Sequence, residues 1–423
     1  MPTTDLPIHT SQRADILDVL RGLALFGILL NNIYGFSGFG NLQDEARQKF
    51  STFPLDEGLN FLQVMFVEGK FYSLFSLLFG IGFSIMLIMN EKKGINIFKI
   101  FYRRLAVLLL IGAAHIYFLW EGDILVLYAL IGFLLPLYKN CSNTTLLTWA
   151  VVLILSPIAI DLAKLLLQKG PGDFIIPVAE AIDTKNGILG EVWRTYLYKD
   201  NSNWNEWRTY QNTAFMYRFS SLLNNNRIPK VFGMFLIGLY VGKNMIYANL
   251  QQYLPLLKKV MLWGFIIGLP FSILMAVFEA DDKQVYKSWL GMADTLSYAF
   301  GVVPLSLAYA ASVCLFWVKT KASGKLRKLA PVGRMALTNY LMQTVIGITL
   351  FYNTGFSLGQ EFGIDYIFII AVAIYCLQVI YSNIWFRFFQ YGPMEWIWRQ
   401  LTYGKRLRLL KAPIQASGKK LHG

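Results

Sequence analysis

The first long apolar segment, Ile16 to Phe36, reads ILDVLRGLALFGILLNNIYGF, with Asp18 and Arg21 near one end and Asn31 and Asn32 near the other. A helix of that length matches the hydrocarbon core of a bilayer, roughly 30 Å thick. An ionised side chain in mid-span costs roughly 2.5–3.5 kcal/mol of insertion free energy, so polar groups kept there need a partner or a purpose. Asp18 and Arg21 stand on one helix face and can neutralise each other. Asn31 and Asn32 follow about three turns later, so the segment reads as a membrane helix with a polar stripe.

The same pattern recurs to the far end of the chain. Hydrophobic residues make up 55% and charged residues 15% of the sequence, and mean hydropathy is +0.45. A soluble fold would need most of these helices to be apolar on every face. The expected fold is all-α, a polytopic transmembrane bundle of about ten spans. They are placed at 16–36, 71–90, 101–120, 122–138, 144–166, 230–249, 256–277, 293–318, 332–352 and 365–386.

Loop charge supplies the orientation. Lys92, Lys93, Lys99, Arg103 and Arg104 follow the second span; Lys319, Lys321, Lys325, Arg327 and Lys328 follow the eighth; Lys405, Arg406, Arg408 and Lys411 occupy the tail. These clusters fall on one side, which the positive-inside rule makes cytoplasmic together with both termini. The opposite loops carry acids, among them Asp44, Glu45, Asp56, Glu57, Glu121, Asp123, Glu279, Asp281 and Asp282. The net charge of +14 therefore reads as orientation and attraction to anionic lipid. No nucleic-acid reader motif accompanies it, and nucleic acid is excluded as a partner.

Four regions follow: an N-terminal membrane half (1–166), an extracytoplasmic loop (167–229), a C-terminal membrane half (230–404) and a basic cytoplasmic tail (405–423). The loop carries Trp193, Trp204, Trp207 and Asn-rich runs at 201–205 and 224–226. Rings with amides suit sugar or headgroup recognition, and equally suit amphipathic helices at the interface. The stretch 59–89 is too long for one untilted crossing, and Glu68-Gly69-Lys70 marks an expected break, with Gly80 and Gly82 beyond it for close packing.

The N-terminus MPTTDLPIHTSQRAD lacks a signal-peptide pattern, so the first span is expected to serve as the insertion signal. Cys141, Cys314 and Cys376 form no disulfide framework, and His9, His115 and His422 build no metal site; none is expected. Phosphate loops, nucleophile elbows and dinucleotide fingerprints are absent.

His115 falls in the outer third of its span, close to Glu121-Gly122-Asp123. Asn31, Asn32, Glu68 and Lys70 reach the same depth from other segments. Such convergence is what a polar site inside a membrane requires, although a hydrogen-bonded knot locking hairpins together has the same composition. A buried imidazole beside a carboxylate can act as general base, and amides can polarise a carbonyl oxygen. Acyl transfer and proton-coupled transport both fit. At the cytoplasmic face Arg103, Arg104, Arg334 and Arg399, with Glu395 and Trp396 nearby, are candidates for coenzyme A phosphates or for interfacial anchoring. Asn339 and Gln343 extend a polar path inward from there.

Several long blocks carry a resemblance: ILDVLRGLALFGILLNNI, FVEGKFYSLFSLLFGIGFS, the hairpin H-x4-W-x-GDIL-x2-YA-x-IG, GRMALTNYLMQT and YGPMEWIWRQLTYG. Together they resemble the YeiB-like family of bacterial membrane proteins over nearly the whole chain. That family is similar to the transmembrane acyltransferases, which include heparan-alpha-glucosaminide N-acetyltransferase. The resemblance implies a protein of the bacterial inner membrane that moves an acyl group from cytoplasmic acyl-CoA, as co-substrate and not tightly bound cofactor, to an extracytoplasmic glycan or other envelope acceptor. The sugar N-acetyltransferases carry their key His shortly after the first span. The matching stretch here, Asn31 to Asn60, has none, which leaves His115 as the membrane-embedded candidate base. The expected catalytic set is His115, Asn31, Asn32, Glu68, Lys70 and Asp123. The rival readings are a small-molecule transporter or channel using the same cavity, and a non-catalytic membrane partner protein; the bilayer is a partner in all three, and a homodimer stays open.

Overall fold

The computed structural model describes residues 15–42, 44–91, 97–187, 197–198, 204–279, 287–319 and 323–411. The expectations attached to the N-terminal leader, Lys92, Lys93, Trp193, Asp281, Asp282, Lys321 and the end of the tail lie outside these residues.

Among the described residues regular structure is helical, apart from one isolated bridge between Phe389 and Leu410. Backbone polar groups in hydrocarbon have no water to bond, and a helix satisfies them within its own segment. In chain order the main helices are α1 (Asp15–Ser37), α2 (Phe53–Phe66), α3 (Lys70–Glu91), α4 (Ile97–Phe118), α5 (Leu125–Gly132), α6 (Asn143–Leu167) and α7 (Ile176–Lys185). There follow α8 (Trp204–Asn224), α9 (Arg227–Lys243), α10 (Leu254–Glu279), α11 (Trp289–Lys319), α12 (Ala336–Phe351), α13 (Ile364–Phe388) and α14 (Pro393–Tyr403).

Seven helical stretches among the described residues are long and apolar enough to cross a membrane: 15–37, 53–90, 98–118, 143–167, 254–278, 289–319 and 364–388. The chain is thus a multi-span helical membrane protein. The remaining segments expected to cross, at 122–138, 230–249 and 332–352, form shorter helices: α5 has 8 residues, α9 has 17 and α12 has 16. At about 1.5 Å per residue these measure about 12, 26 and 24 Å, short of a full hydrocarbon core.

The break expected in the long second segment is a turn between α2 and α3, where Gly69 takes φ +76°. Lys70 opens α3 fully buried, and its Nζ donates to the Val64 carbonyl at 2.7 Å, covering one of the acceptors left open at the end of α2. Gly80 faces Gly238 where α3 crosses α9, and a side chain on either glycine would strike the backbone of the other helix. Gly82 faces Arg21 instead. At the entry of α1, Arg21 Nη1 donates to the buried Asp18 carboxylate at 2.7 Å.

α1 packs against α3, α12 and α13, while α10 and α11 form the most extensive helix pair. α8 is built into the protein: Trp207, Gln211, Thr213 and Ala214 on its inner face are buried. It covers the end of the bundle where α1 finishes and α4 turns into α5. This placement creates the cavity described next.

Candidate functional site

The cavity has a volume of about 330 Å³, within the range of small-molecule sites. α1 supplies Asn31, Asn32 and Gly35 to its wall, and the α4–α5 turn supplies Trp120, Glu121 and Gly122. α8 adds Tyr210, Tyr217 and Arg218, and the start of α9 adds Arg227. A narrower pocket of about 40 Å³ adjoins it, sharing Asn31, Asn32, Gly122, Arg218 and Arg227 and reaching Tyr72 and Tyr340.

The turn is shaped by its own sequence. The amides of Leu119 and Trp120 both donate to the His115 carbonyl at 2.9 Å, which closes α4. Asp123 Oδ1 accepts the Val126 amide at 2.7 Å and so holds the start of α5, as a capping carboxylate does. Its other oxygen lies 2.9 Å from His115 Nδ1, within ion-pair distance though out of line for a hydrogen bond. On the far side of the ring, Nε2 meets Thr344 Oγ1 of α12 at 2.9 Å. Tyr340 packs against the imidazole with centroids 5.3 Å apart and the ring planes tilted by 45°.

The structure therefore brings His115 and Asp123 into direct contact and places Asn31 and Asn32 on the cavity wall. His115 and Asp123 stand one layer behind that wall, screened by Tyr340 and Gly122. Asn31 Oδ1 accepts Gln63 Nε2 at 3.2 Å. Lys70 is engaged with α2, and Glu68, half-buried on the α2–α3 turn, lines neither cavity. Among the described residues, no group of three His, Cys, Asp or Glu is placed to hold a metal ion.

At the opposite end the four candidate arginines lie around α14. Arg104 covers the Trp398 ring at 3.9 Å, Arg334 covers Phe386 at 4.3 Å and Arg399 covers Tyr391 at 4.9 Å. Arg103 lies beside Gly404, where α14 ends. Asn339 and Gln343 belong to a hydrogen-bonded ladder between α12 and α13: Gln343 Nε2 donates to Gln378 Oε1 at 2.9 Å, and Gln378 Nε2 donates to the Asn339 carbonyl at 2.9 Å.

Sequence reasoning missed Thr344 and Tyr340, since a Thr and a Tyr on an apolar helix carry no spacing signal. It also missed Arg218 and Arg227. Their signal was present as two cations bracketing the Asn224–Asn226 run at the entrance to an apolar segment. Burial, and then the neighbouring Arg227, bring the Arg218 guanidinium down from 12.5 to about 10, which leaves it charged at neutral pH.

Against this geometry stand the relatives. The chain is 31% identical to the Uncharacterized protein YxaH of Bacillus subtilis (strain 168) over 94% of its own length and 96% of that protein's. This chain belongs to the YeiB/DUF418 family of bacterial membrane proteins. The family model, described as a protein of unknown function (DUF418), matches residues 241–405. YeiB of Escherichia coli (strain K12) is 27% identical, with 92% of this chain and 96% of that one covered. A 39.9 kDa protein from the amylase 3' region of Bacillus acidopullulyticus is 29% identical over 96% of this chain. No solved structure matches. The resemblance read from the motifs is thereby established at the level of this family, and the protein is a bacterial multi-pass membrane protein.

Proposed function

We propose that this YeiB-family protein transfers an acyl group from cytoplasmic acyl-CoA to an acceptor that enters the cavity beneath α8 from the other side of the membrane. What supports the reading is the His115 ring, with Asp123 Oδ2 2.9 Å from Nδ1 and Thr344 Oγ1 2.9 Å from Nε2, directly behind a polar cavity wall. A small rotation of the carboxylate would align it on Nδ1–H and leave Nε2 as the basic atom. Nε2 takes the proton of an acceptor hydroxyl or amine as that group attacks the thioester carbonyl; the carbon–sulfur bond breaks and the departing thiolate takes the proton back. Asn31 or Asn32 polarises the carbonyl oxygen. Tyr340 is the partition that has to move for substrate to meet the imidazole. In this reading the end bearing Arg103, Arg104, Arg334 and Arg399 faces the cytoplasm, with both termini, and receives the phosphates of the acyl donor.

Purified protein with labelled acetyl-CoA and crude envelope glycans tests the proposal. Transfer of label is expected, and His115→Ala should lower it by about 10²–10⁴-fold. Transfer that survives the substitution would overturn the assignment of the base. The polar cavity also favours a second reading, transport of a small polar metabolite. Flux into liposomes without any acyl donor, together with no label transfer, would select it.

A further inference from the structure

Two guanidiniums line this cavity, and the nearest carboxylates, Asp123 and Glu121, act on Arg218 only through space, without closing an ion pair. Arg218 and Arg227 line both the cavity and its narrow extension. Arg218 Nη2 donates to the Asp123 carbonyl at 3.3 Å, while its Nε is buried with no hydrogen-bond partner. Arg227 lies over the Tyr72 ring at 5.3 Å, the neutral face of a neighbour. Neither arginine forms an ion pair among the described residues. Glu121 is the acid on the wall, and its Oε1 is taken by the Tyr210 hydroxyl at 2.8 Å.

Like charges side by side in a partly enclosed wall repel, and the arrangement becomes favourable when an anion lies between them. Planar guanidiniums match the oxygens of phosphate or carboxylate through paired N–H donors. The rest of the wall is suited to a body rich in hydroxyls, because Asn31 and Asn32 carry amide donors and acceptors while Trp120 contributes an aromatic ring.

We propose that the cavity binds a small polyhydroxylated molecule by a phosphate or carboxylate group clasped between Arg218 and Arg227. The anionic group is carried either by a soluble sugar derivative or by the headgroup of an anionic lipid. The site stands on the two arginines and holds whether or not the protein transfers acyl groups.

The test uses full-length protein in nanodiscs of phosphatidylcholine, with melting temperature and direct titration as readouts. Glucose 6-phosphate and glucuronate should raise the melting temperature, and glucose should not. Arg227→Gln should weaken binding of the anionic sugars about tenfold or more, the worth of one charge-assisted contact. Without ligand, Arg227→Gln should melt at or above the temperature of the unsubstituted protein, because it removes a repulsion. Nanodiscs containing phosphatidylglycerol separate the two sources. A lipid headgroup as occupant predicts a higher melting temperature there for the unsubstituted protein only, and no further gain from glucose 6-phosphate; a soluble ligand predicts the same gain in both lipids. The proposal is overturned if no anionic probe binds, if glucose or sodium chloride at equal ionic strength acts as well, or if Arg227→Gln leaves binding unchanged. It is also overturned if Arg227→Gln lowers the unliganded melting temperature, which would make the arginine a structural strut.

Discussion

Two buried polar knots are built from similar parts and differ in whether every donor finds an acceptor. In the first, on α6, Lys164 Nζ donates to Asp161 Oδ1 at 2.6 Å, to Asn226 Oδ1 at 3.0 Å and to the Asn224 carbonyl, so all three ammonium protons are used. Asp161 also accepts Asn226 Nδ2 at 2.7 Å and Thr295 Oγ1 of α11 at 2.6 Å. In the second, His115 and Asp123 are close but misaligned, and the neighbouring Arg218 keeps a buried Nε without a hydrogen-bond partner. The first knot lines neither cavity, whereas the second lies against the cavity wall. A saturated network has nothing left to offer a ligand and ties α6, α9 and α11 together. An unsaturated one beside open space has capacity to spare.

The largest expected effect tests the saturated knot. Lys164→Met leaves Asp161 its Asn226 and Thr295 hydrogen bonds but removes the cation bonded to its buried charge, and should destabilise the protein by about 3–5 kcal/mol, the usual cost of breaking a buried ion pair from one side. Thermal melting in nanodiscs, with the yield of monodisperse protein, measures it, and an unchanged melting temperature would break the contrast. His115→Ala should cost less, about 1–3 kcal/mol, because the partners it strands are one hydroxyl and a carboxylate already held by the Val126 amide. A His115 penalty equal to that of Lys164 would place both knots in one class and remove the ground for treating the second as functional.

How far the sequence revealed this contrast depends on what each residue does to local pattern. Apolar runs announced the helices, because only a helix closes its own backbone bonds in lipid. The ion pair of Asp18 and Arg21 was legible from its i, i+3 spacing. Asp161 and Lys164 have the same spacing, yet their partners Asn226, in the α8–α9 turn, and Thr295, on α11, are far away in sequence, so nothing local distinguishes a saturated knot from an exposed pair. His115 and Asp123 were legible because a short turn forces them together. Thr344, Tyr340, Arg218 and Arg227 depend on how α8, α9 and α12 dock on that turn, which is long-range information. The short lengths of α5, α9 and α12 were hidden for a related reason: apolarity marks burial in lipid and burial in protein alike.

Glu395 offers a third, saturated group at the edge of the bundle. Its Oε1 accepts the amides of Leu337 and Thr338 at 2.7 and 3.1 Å, and its Oε2 accepts the Thr338 hydroxyl at 2.6 Å, which covers the open start of α12. Burial pushes this carboxyl above its ordinary 4.5, outweighing those hydrogen bonds. The folded protein therefore holds the proton more tightly than the unfolded chain. Stability from this group is fully present below about pH 4.5 and declines as pH rises through the raised folded value. Glu395→Gln should change stability at neutral pH by no more than about 1 kcal/mol and should flatten that slope. A slope unaltered by the substitution would assign it to another group.

The smallest effect belongs to the exposed counterpart of the Lys164 pair. Lys287 Nζ meets Asp173 Oδ2 at 2.7 Å with both side chains more than a quarter exposed. The burial Asp173 has works to raise its pKa. The Lys287 hydrogen bond, the Gly170 amide and the Asn224 amide outweigh it and bring the carboxyl down to about 2. A lowered folded value means that the stabilisation is fully present above the ordinary 3.8 and disappears as pH falls through about 2. Solvent and salt screen such a pair, so Lys287→Ala should cost about 0.5 kcal/mol or less at neutral pH and less still in 1 M salt, where the screening length is about 3 Å. Melting curves of the two proteins should differ most at neutral pH and low salt and should converge on acidification. Set beside the several kcal/mol expected for Lys164→Met, this difference isolates what burial does to one chemical pairing. A loss at Lys287 as large as that at Lys164 would show that the partners on the Asp173 loop, and not burial, set the cost.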